Sequence, residues 1–188
     1  MKNFFFLGST GAGKSSTENN IIGLDYFKVG HELTSCTSRV LWYDEGEWRI
    51  FDTPGFGDNR MSEEECKKMI NEMAEKMVDK DDDTSGEIDA FVLVCQCTPR
   101  ATNLKKDLEY LRNLFGTVSF KSTVIVLNLF YTNIPDQTIF SHIREMTEVK
   151  KMLEEGKQEP FNEDWFCLCS NPPSKKSDNQ VEELKKKS

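Results

Sequence analysis

A lysine and two serines at positions 14–16 close a glycine-rich stretch that could hold phosphate. Residues 8–15 read Gly-Ser-Thr-Gly-Ala-Gly-Lys-Ser and fit the pattern G-x-x-x-x-G-K-[ST]. Glycines let such a loop curl until successive N–H groups form a nest for phosphate oxygens, and the following helix N-terminus adds its positive end. In this pattern Lys14 reaches the β- and γ-phosphates, and the Ser15 hydroxyl binds Mg²⁺. The predicted nucleotide contacts in this loop are Ser9, Thr10, Gly11, Ala12, Gly13, Lys14, Ser15 and Ser16.

A second motif, Asp-Thr-Pro-Gly at 52–55, follows a strand-like run. An aspartate at a strand tip beside the loop can hold Mg²⁺ through water, and the Gly55 N–H can sense a γ-phosphate. The aspartate comes 37 residues after Ser15, with a predicted hairpin between them. We therefore predict that Ser15 and Asp52 bind the metal and that Lys14 and Gly55 are catalytic.

Five apolar runs predict the strands that position these motifs: residues 3–7, 47–51, 89–95, 122–128 and 164–169. Helical patterns lie between them, including 62–78 with a Ser62–Glu65 capping box, 103–116, and 137–155 as one helix. Such alternation is typical of a mostly parallel sheet. Residues 39–51 predict a hairpin with its turn at 44–46, which supplies one antiparallel edge strand. The expected fold is a three-layer α/β P-loop NTPase domain.

Composition limits the remaining functions. The chain has 188 residues and a formal net charge of −8, so broad attraction to nucleic acid is not expected. Its apolar runs are too short to cross a bilayer, and residues 1–8 do not resemble a signal peptide. We expect a cytoplasmic protein, with peripheral contact to an intracellular membrane only through sequence outside this chain.

Six cysteines include two C-x-C pairs, at 95/97 and 167/169. Zinc sites usually show wider C-x₂₋₄-C spacing in loops with histidine support, and these pairs lie in strand-like runs. We predict buried free thiols.

With these motifs placed, the chain resembles GTPases of the plant avirulence-induced and animal immunity-associated family, relatives of septins and chloroplast-import receptors. The resemblance lies in "GSTGAGKSSTENNIIGLDYF", in "DTPGFGD", and in "PRATNLKKDLEYLRNLFG", residues 99–116, which resembles the family's marker box and includes Arg100. It implies a G domain over residues 1–172, followed by a polar tail or the start of a helix at 173–188. It also implies GTP or GDP bound with Mg²⁺ and switch loops that order around the γ-phosphate.

The first switch loop, "HELTSCTSRV", contains Thr34 and Thr37. Spacing back from Asp52 favours Thr34 as the catalytic and Mg²⁺-binding threonine, and Thr37 stays open as the alternative. Phe56 stands where small GTPases often have a water-positioning glutamine. We therefore expect slow hydrolysis by the monomer, and the resemblance implies a homodimer or oligomer across the nucleotide face when GTP is bound.

Base recognition is the least regular part of the motif set. After the fourth core run the chain reads Asn128-Leu129-Phe130-Tyr131, with no aspartate to accept guanine hydrogen bonds before Asp136. Asn128, and the later pair Ser170 and Asn171, are the predicted base-side contacts, with Phe130 or Tyr131 as a candidate to stack on the base. Two alternatives stay open: a P-loop ATPase or nucleotide kinase, and a nucleotide-binding scaffold that does not hydrolyse.

Overall fold

The computed structural model describes residues 2–29, 40–55, 87–98, 101–129 and 135–169, together with 64, 65, 67, 68, 70 and 71. The strands of this part are β1 (Lys2–Leu7), β2 (Leu41–Glu45), β3 (Trp48–Asp52), β4 (Ala90–Thr98), β5 (Ala101–Thr102), β6 (Thr123–Asn128) and β7 (Phe166–Cys169). Its α-helices with defined ends are α1 (Lys14–Ile22), α2 (Leu104–Phe115), α3 (Asp136–Glu145) and α4 (Thr147–Lys157).

The main sheet has the strand order β2-β3-β1-β4-β6-β7. Its pairings are parallel except for the β2–β3 hairpin at one edge, and the two-residue β5 pairs with β4 in antiparallel fashion. This confirms the predicted α/β class, with a mostly parallel sheet and one antiparallel edge strand. The carboxyl ends of β1, β3, β4 and β6 share one edge of the sheet, which is where parallel α/β folds bind ligands.

The central strands are apolar on both faces, as expected when helices cover both sides of a parallel sheet. In β1, Phe5 and Leu7 join one core cluster while Phe4 and Phe6 join the other. The cysteine pairs divide in the same way: Cys95 and Cys97 lie in the first cluster, and residues 167 and 169 in the second. All four are buried free thiols, as predicted; positions 36 and 66 lie outside the described residues.

Two boundaries differ from the sequence prediction. The hairpin turn is at Gly46 and Glu47 rather than 44–46, because Glu45 still pairs with Trp48. Gly46 has a φ of 59°, which suits the first position of a two-residue hairpin loop. The residues 137–155 form two helices, not one, which meet at Met146 with φ −76° and ψ 77°. Apolar periodicity continues through this break, so the pattern alone did not reveal it.

Each edge of the sheet includes tryptophan. Trp42 is half-exposed on β2, and Trp48 on β3 packs against the ring of Phe4 at 5.3 Å. At the opposite edge Trp165 is buried just before β7, with the ammonium of Lys157 5.4 Å from its ring centre. Of the helices that the structure describes, none has the length and apolar character needed to traverse a bilayer.

Candidate nucleotide site

The glycine-rich loop spans residues 8–13, between the end of β1 and the start of α1. Gly8, Gly11 and Gly13 have φ values of 147°, 76° and 92°, a region that L side chains rarely adopt. A Cβ on Gly8 would lie 2.1 Å from the carbonyl oxygen of Val94, so the loop leaves β1 in direct contact with β4. The sequence therefore forms the strand–loop–helix cradle that the motif predicted.

Lys14 folds back across this loop. Its side chain is buried, and Nζ donates to the carbonyl oxygen of Gly8 at 3.2 Å and to that of Ser9 at 3.5 Å. These bonds hold the ammonium against the loop backbone, where a phosphate bound by the loop N–H groups would meet it. Lys14 thus lies against the loop, and its contact with the phosphates stays a prediction.

The Asp-Thr-Pro-Gly motif meets the loop at the carboxyl end of β3. The Ser15 hydroxyl donates to Oδ2 of the buried Asp52 at 2.9 Å. A hydroxyl and a carboxylate are oxygen donors of the kind that Mg²⁺ prefers, so the two predicted metal ligands are adjacent and chemically suited to that ion. The arrangement fits Mg²⁺ held by Ser15 directly and by Asp52 directly or through water.

Thr53 and Gly55 fix the rest of this motif beside the loop. The Thr53 hydroxyl donates to the carbonyl oxygen of Phe6 at 2.7 Å, which ties the motif to β1. A Cβ on Gly55 would lie 2.4 Å from Oγ1 and 2.6 Å from the backbone nitrogen of Thr10. Position 55 therefore accepts only glycine without movement of the loop.

Asn128 is the last residue of β6, and its side chain contacts the same loop. Its side chain is fully buried, and Nδ2 donates to the carbonyl oxygen of Ala12 at 3.1 Å. β7 ends level with it, since Asn128 pairs with Cys169 and Leu129 N–H donates to the carbonyl oxygen of Cys169 at 2.7 Å. The predicted base-side residue is thus a brace for the phosphate loop, and the strand preceding Ser170 ends beside it.

Two acidic residues at the site were missed by the sequence reasoning. Asp107 on α2 is buried, and its Oδ1 accepts a hydrogen bond of 2.5 Å from the Ser9 hydroxyl. Burial raises the pKa of Asp107, whereas the Ser9 bond acts in the opposite direction. Glu18 on α1 is also buried, beside Asp52. Asp107 had a visible signal, because it lies three residues after Leu104 on the apolar stripe of its helix.

Asn19 anchors the segment that follows α1. Its Nδ2 donates to the carbonyl oxygen of Phe27 at 2.7 Å, and its Oδ1 accepts from the Phe27 N–H at 2.8 Å. This pair fixes the path of the chain between α1 and the predicted first switch loop. The sequence pattern gave no signal for the contact.

Several predicted residues lie outside the described part of the chain. They are the switch threonines Thr34 and Thr37, Phe56, Arg100, Phe130, Tyr131, Ser170 and Asn171, together with the boundary at 172 and the tail 173–188. The described residues include no group of three or more His, Cys, Asp or Glu side chains arranged to hold a metal ion.

A family model described as the AIG1 family matches residues 2–184. The chain is also similar to the solved structure of Toc33 from Arabidopsis thaliana in complex with GDP and Mg²⁺, with a TM-score of 0.64 and 19% identity over 99% of this chain and 81% of that chain. Era in complex with MgGDPNP and 16S ribosomal RNA nucleotides gives a TM-score of 0.59 and 18% identity over 98% of this chain and 56% of that chain. A probable GTP-binding protein, engB, gives a TM-score of 0.53 and 17% identity over 98% of this chain and 97% of that chain. At these identities the structural likeness establishes the shared fold.

Proposed function

Because the chain belongs to the AIG1 family, we propose that it is a guanine-nucleotide switch protein that binds GTP or GDP with Mg²⁺ and hydrolyses GTP slowly. The observation that carries this proposal is the meeting of its two phosphate motifs. Ser15 and Asp52 are hydrogen-bonded at 2.9 Å although 37 residues separate them in the chain. Gly55 lies against Thr10 of the phosphate loop.

Each residue of the site has a distinct task in this proposal. The loop N–H groups and the Lys14 ammonium bind the β- and γ-phosphates, while Ser15 and Asp52 hold the metal ion. Mg²⁺, when bound, neutralises charge on the phosphate oxygens. The Gly55 N–H, held at the loop by Thr53, senses the γ-phosphate. Thr34 is the proposed switch threonine, with Thr37 as its alternative.

One N–H of the Asn128 amide donates to the carbonyl oxygen of Ala12, so in this proposal Asn128 acts mainly by positioning the loop. We propose that Ser170 and Asn171, which follow the end of β7, contact the guanine. Support comes from the register that places the end of β7 beside Asn128.

Calorimetric titration with GDP, GTP, ADP and ATP, each with Mg²⁺, tests the guanine assignment. We expect guanine nucleotides to bind at least a hundredfold more tightly, a difference of about 2.7 kcal/mol, and Lys14→Ala to abolish this binding. Equal affinities for all four would instead favour a P-loop ATPase or nucleotide kinase. Absence of binding would contradict the nucleotide site itself.

Multiple-turnover phosphate release separates a hydrolase from a nucleotide-holding scaffold. We expect slow release of phosphate, because Phe56 has no group that orients water. The Lys14→Ala variant should lose this release. Rapid release by a monomer would contradict slow hydrolysis, and no release above the Lys14→Ala background would establish the scaffold.

We further propose that the GTP-bound chain dimerises across its nucleotide face in the cytoplasm. For one similar solved structure, dimerization is described as important for the GTPase activity of the chloroplast translocon components atToc33 and psToc159. Sedimentation velocity with GDP and with a non-hydrolysable GTP analogue tests the dimer, which should form only with the analogue. Fractionation of cells that express this chain tests the location.

A further inference from the structure

Asp107 is a buried acid at the phosphate loop, and the phosphate motifs give it no task. It lies in the first turn of α2, its side chain is 1% exposed, and its Oδ1 accepts a 2.5 Å hydrogen bond from the Ser9 hydroxyl. That length is typical of a hydroxyl bound to a carboxylate, which is among the stronger hydrogen bonds in proteins. A negative charge near bound phosphates opposes their binding. An acid at this place therefore indicates a geometric task that offsets this repulsion.

Ser9 connects this bond to the rest of the loop through its carbonyl oxygen. That oxygen accepts from the Ala12 N–H at 3.0 Å and from Lys14 Nζ at 3.5 Å. Lys14 Nζ also donates to the carbonyl oxygen of Gly8, the residue before Ser9, at 3.2 Å. The hydroxyl that binds Asp107 and a carbonyl that binds the ammonium thus belong to the same residue. Asp107 fixes Ser9, and Ser9 in turn helps to set where the ammonium lies.

The Ser9 end of the loop is also the end that the second phosphate motif contacts. Thr10 follows Ser9, and a Cβ on Gly55 would lie 2.6 Å from the Thr10 backbone nitrogen. In the proposed function, the Lys14 ammonium and the Gly55 N–H are the groups that meet the γ-phosphate. Both groups therefore contact the loop within residues 8–10, the segment that Asp107 holds.

A second buried side chain braces the loop at a different point. Asn128 Nδ2 donates to the carbonyl oxygen of Ala12 at 3.1 Å. Asn128 ends β6 next to the end of β7, on the base side of the proposed site. This brace supports a part of the nucleotide that GDP and GTP share. The Asp107 brace supports residues 8–10, where GTP has an additional phosphate.

We propose that Asp107 is a positioning residue for the γ-phosphate, which by holding Ser9 raises the affinity for GTP more than the affinity for GDP. This inference rests on the proposed function, since it requires a guanine nucleotide bound by the loop. It adds to that function a contribution of α2, within residues 99–116, to the preference for the triphosphate.

The test compares the affinities of GDP and of a non-hydrolysable GTP analogue, each with Mg²⁺, by calorimetry. We expect Ser9→Ala to weaken the binding of the analogue by about tenfold, the value of one buried hydrogen bond, and that of GDP by no more than about threefold. Asp107→Leu, which removes the acceptor, should give the same two factors. The double variant should be little worse than either single variant, because both substitutions break one bond.

Two further variants separate this role from a general loss of structure. Asp107→Asn keeps an oxygen that can accept from the Ser9 hydroxyl, so both affinities should stay within about threefold of the wild type. Asn128→Ala breaks the brace at Ala12 and should weaken the binding of both nucleotides by the same factor. If Asp107→Leu does not fold, Ser9→Ala, which deletes a single hydroxyl, provides the same measurement.

The outcomes are distinct. Equal weakening of GDP and of the analogue in Ser9→Ala overturns the inference, and so does an unchanged affinity for the analogue. A loss in Asp107→Asn as large as that in Asp107→Leu also overturns it, because the acceptor oxygen would then not be the feature that matters. Failure of the wild type to bind either nucleotide overturns the proposed function instead, and with it the premise of this inference.

Discussion

The Ser9 hydroxyl of the phosphate loop donates a hydrogen bond to the buried carboxylate of Asp107, 98 residues further along the chain. Asp107 belongs to α2, which lies within residues 99–116, the stretch that resembles a marker box of the family. The bond joins the box to the nucleotide site through two side chains.

Replacing Ser9 with alanine should destabilise the protein. The change removes the hydroxyl that donates to the buried Asp107, at a cost of about 1–3 kcal/mol in the free energy of unfolding. Urea denaturation measures this loss. Ser141→Ala removes a hydroxyl that bonds a helix carbonyl at the surface and should change stability by less than about 0.5 kcal/mol. Equal effects of the two substitutions would contradict a special role for the Ser9 bond.

Asp107 should make stability depend on pH. Its pKa lies above the ordinary 3.8, chiefly because the carboxyl is buried, so the folded state keeps a proton that the unfolded chain has lost. The free energy of unfolding should therefore fall as pH rises from about 4 through the folded-state pKa, and then level off. Asp107→Asn removes this contribution. Unfolding midpoints of the two proteins, compared between about pH 4 and about pH 8, test it; a constant difference between them would contradict the prediction.

Asn128→Ala should weaken the binding of guanine and adenine nucleotides by the same factor. The Asn128 side chain bonds Ala12 of the phosphate loop, so its loss loosens the cradle that both nucleotides share. We expect about a tenfold loss, which matches the value of one buried hydrogen bond. Calorimetry with GDP and ADP gives both affinities, and Asn103→Ala at an exposed position is the control. A loss confined to GDP would mean that Asn128 reads the base.

Gly156→Ala should destabilise the fold even though alanine favours helices. A Cβ at this position in α4 would lie 2.0 Å from Cδ2 of Phe120, which is fully buried. The gain in helix propensity is about 1 kcal/mol, whereas overpacking a core costs about 1–3 kcal/mol or more. Thermal unfolding should show a lower midpoint. Glu155→Ala on the exposed side of the same helix should be nearly neutral, and a stabilised Gly156→Ala would show that Phe120 moves without cost.

The sheet was predictable because its strands are short apolar runs with clear limits. Residues 3–7 and 122–128 predicted β1 and β6 almost to the residue. The break at Met146 was not predictable from periodicity, since one bent helix and two short helices place the same apolar side chains inward. The turn at Gly46 was misplaced by treating the strand residue Glu45 as part of the loop.

The site was predictable to the extent that it consists of local motifs. The approach of Asp52 to Ser15 followed from two strand ends at one sheet edge, because parallel strands bring their carboxyl ends together. Asp107 and Glu18 depend on tertiary packing, which no local motif encodes. Asp107 could have been recognised as an acid on the apolar stripe of α2. In contrast, α1 has no apolar stripe against which Glu18 stands out.

The placement of tryptophan at both edges of the sheet has a spectroscopic consequence. Trp42 and Trp48 lie on the hairpin, whose strand β3 pairs with β1, the strand that leads to the phosphate loop. Trp165 is enclosed at the far edge, and its indole N–H donates to Glu159 at 3.2 Å. The half-exposed Trp42 should emit at longer wavelength than the buried Trp165. Intrinsic fluorescence of this chain is thus a composite of local reporters, and single-tryptophan variants would resolve which edge of the sheet senses a bound ligand.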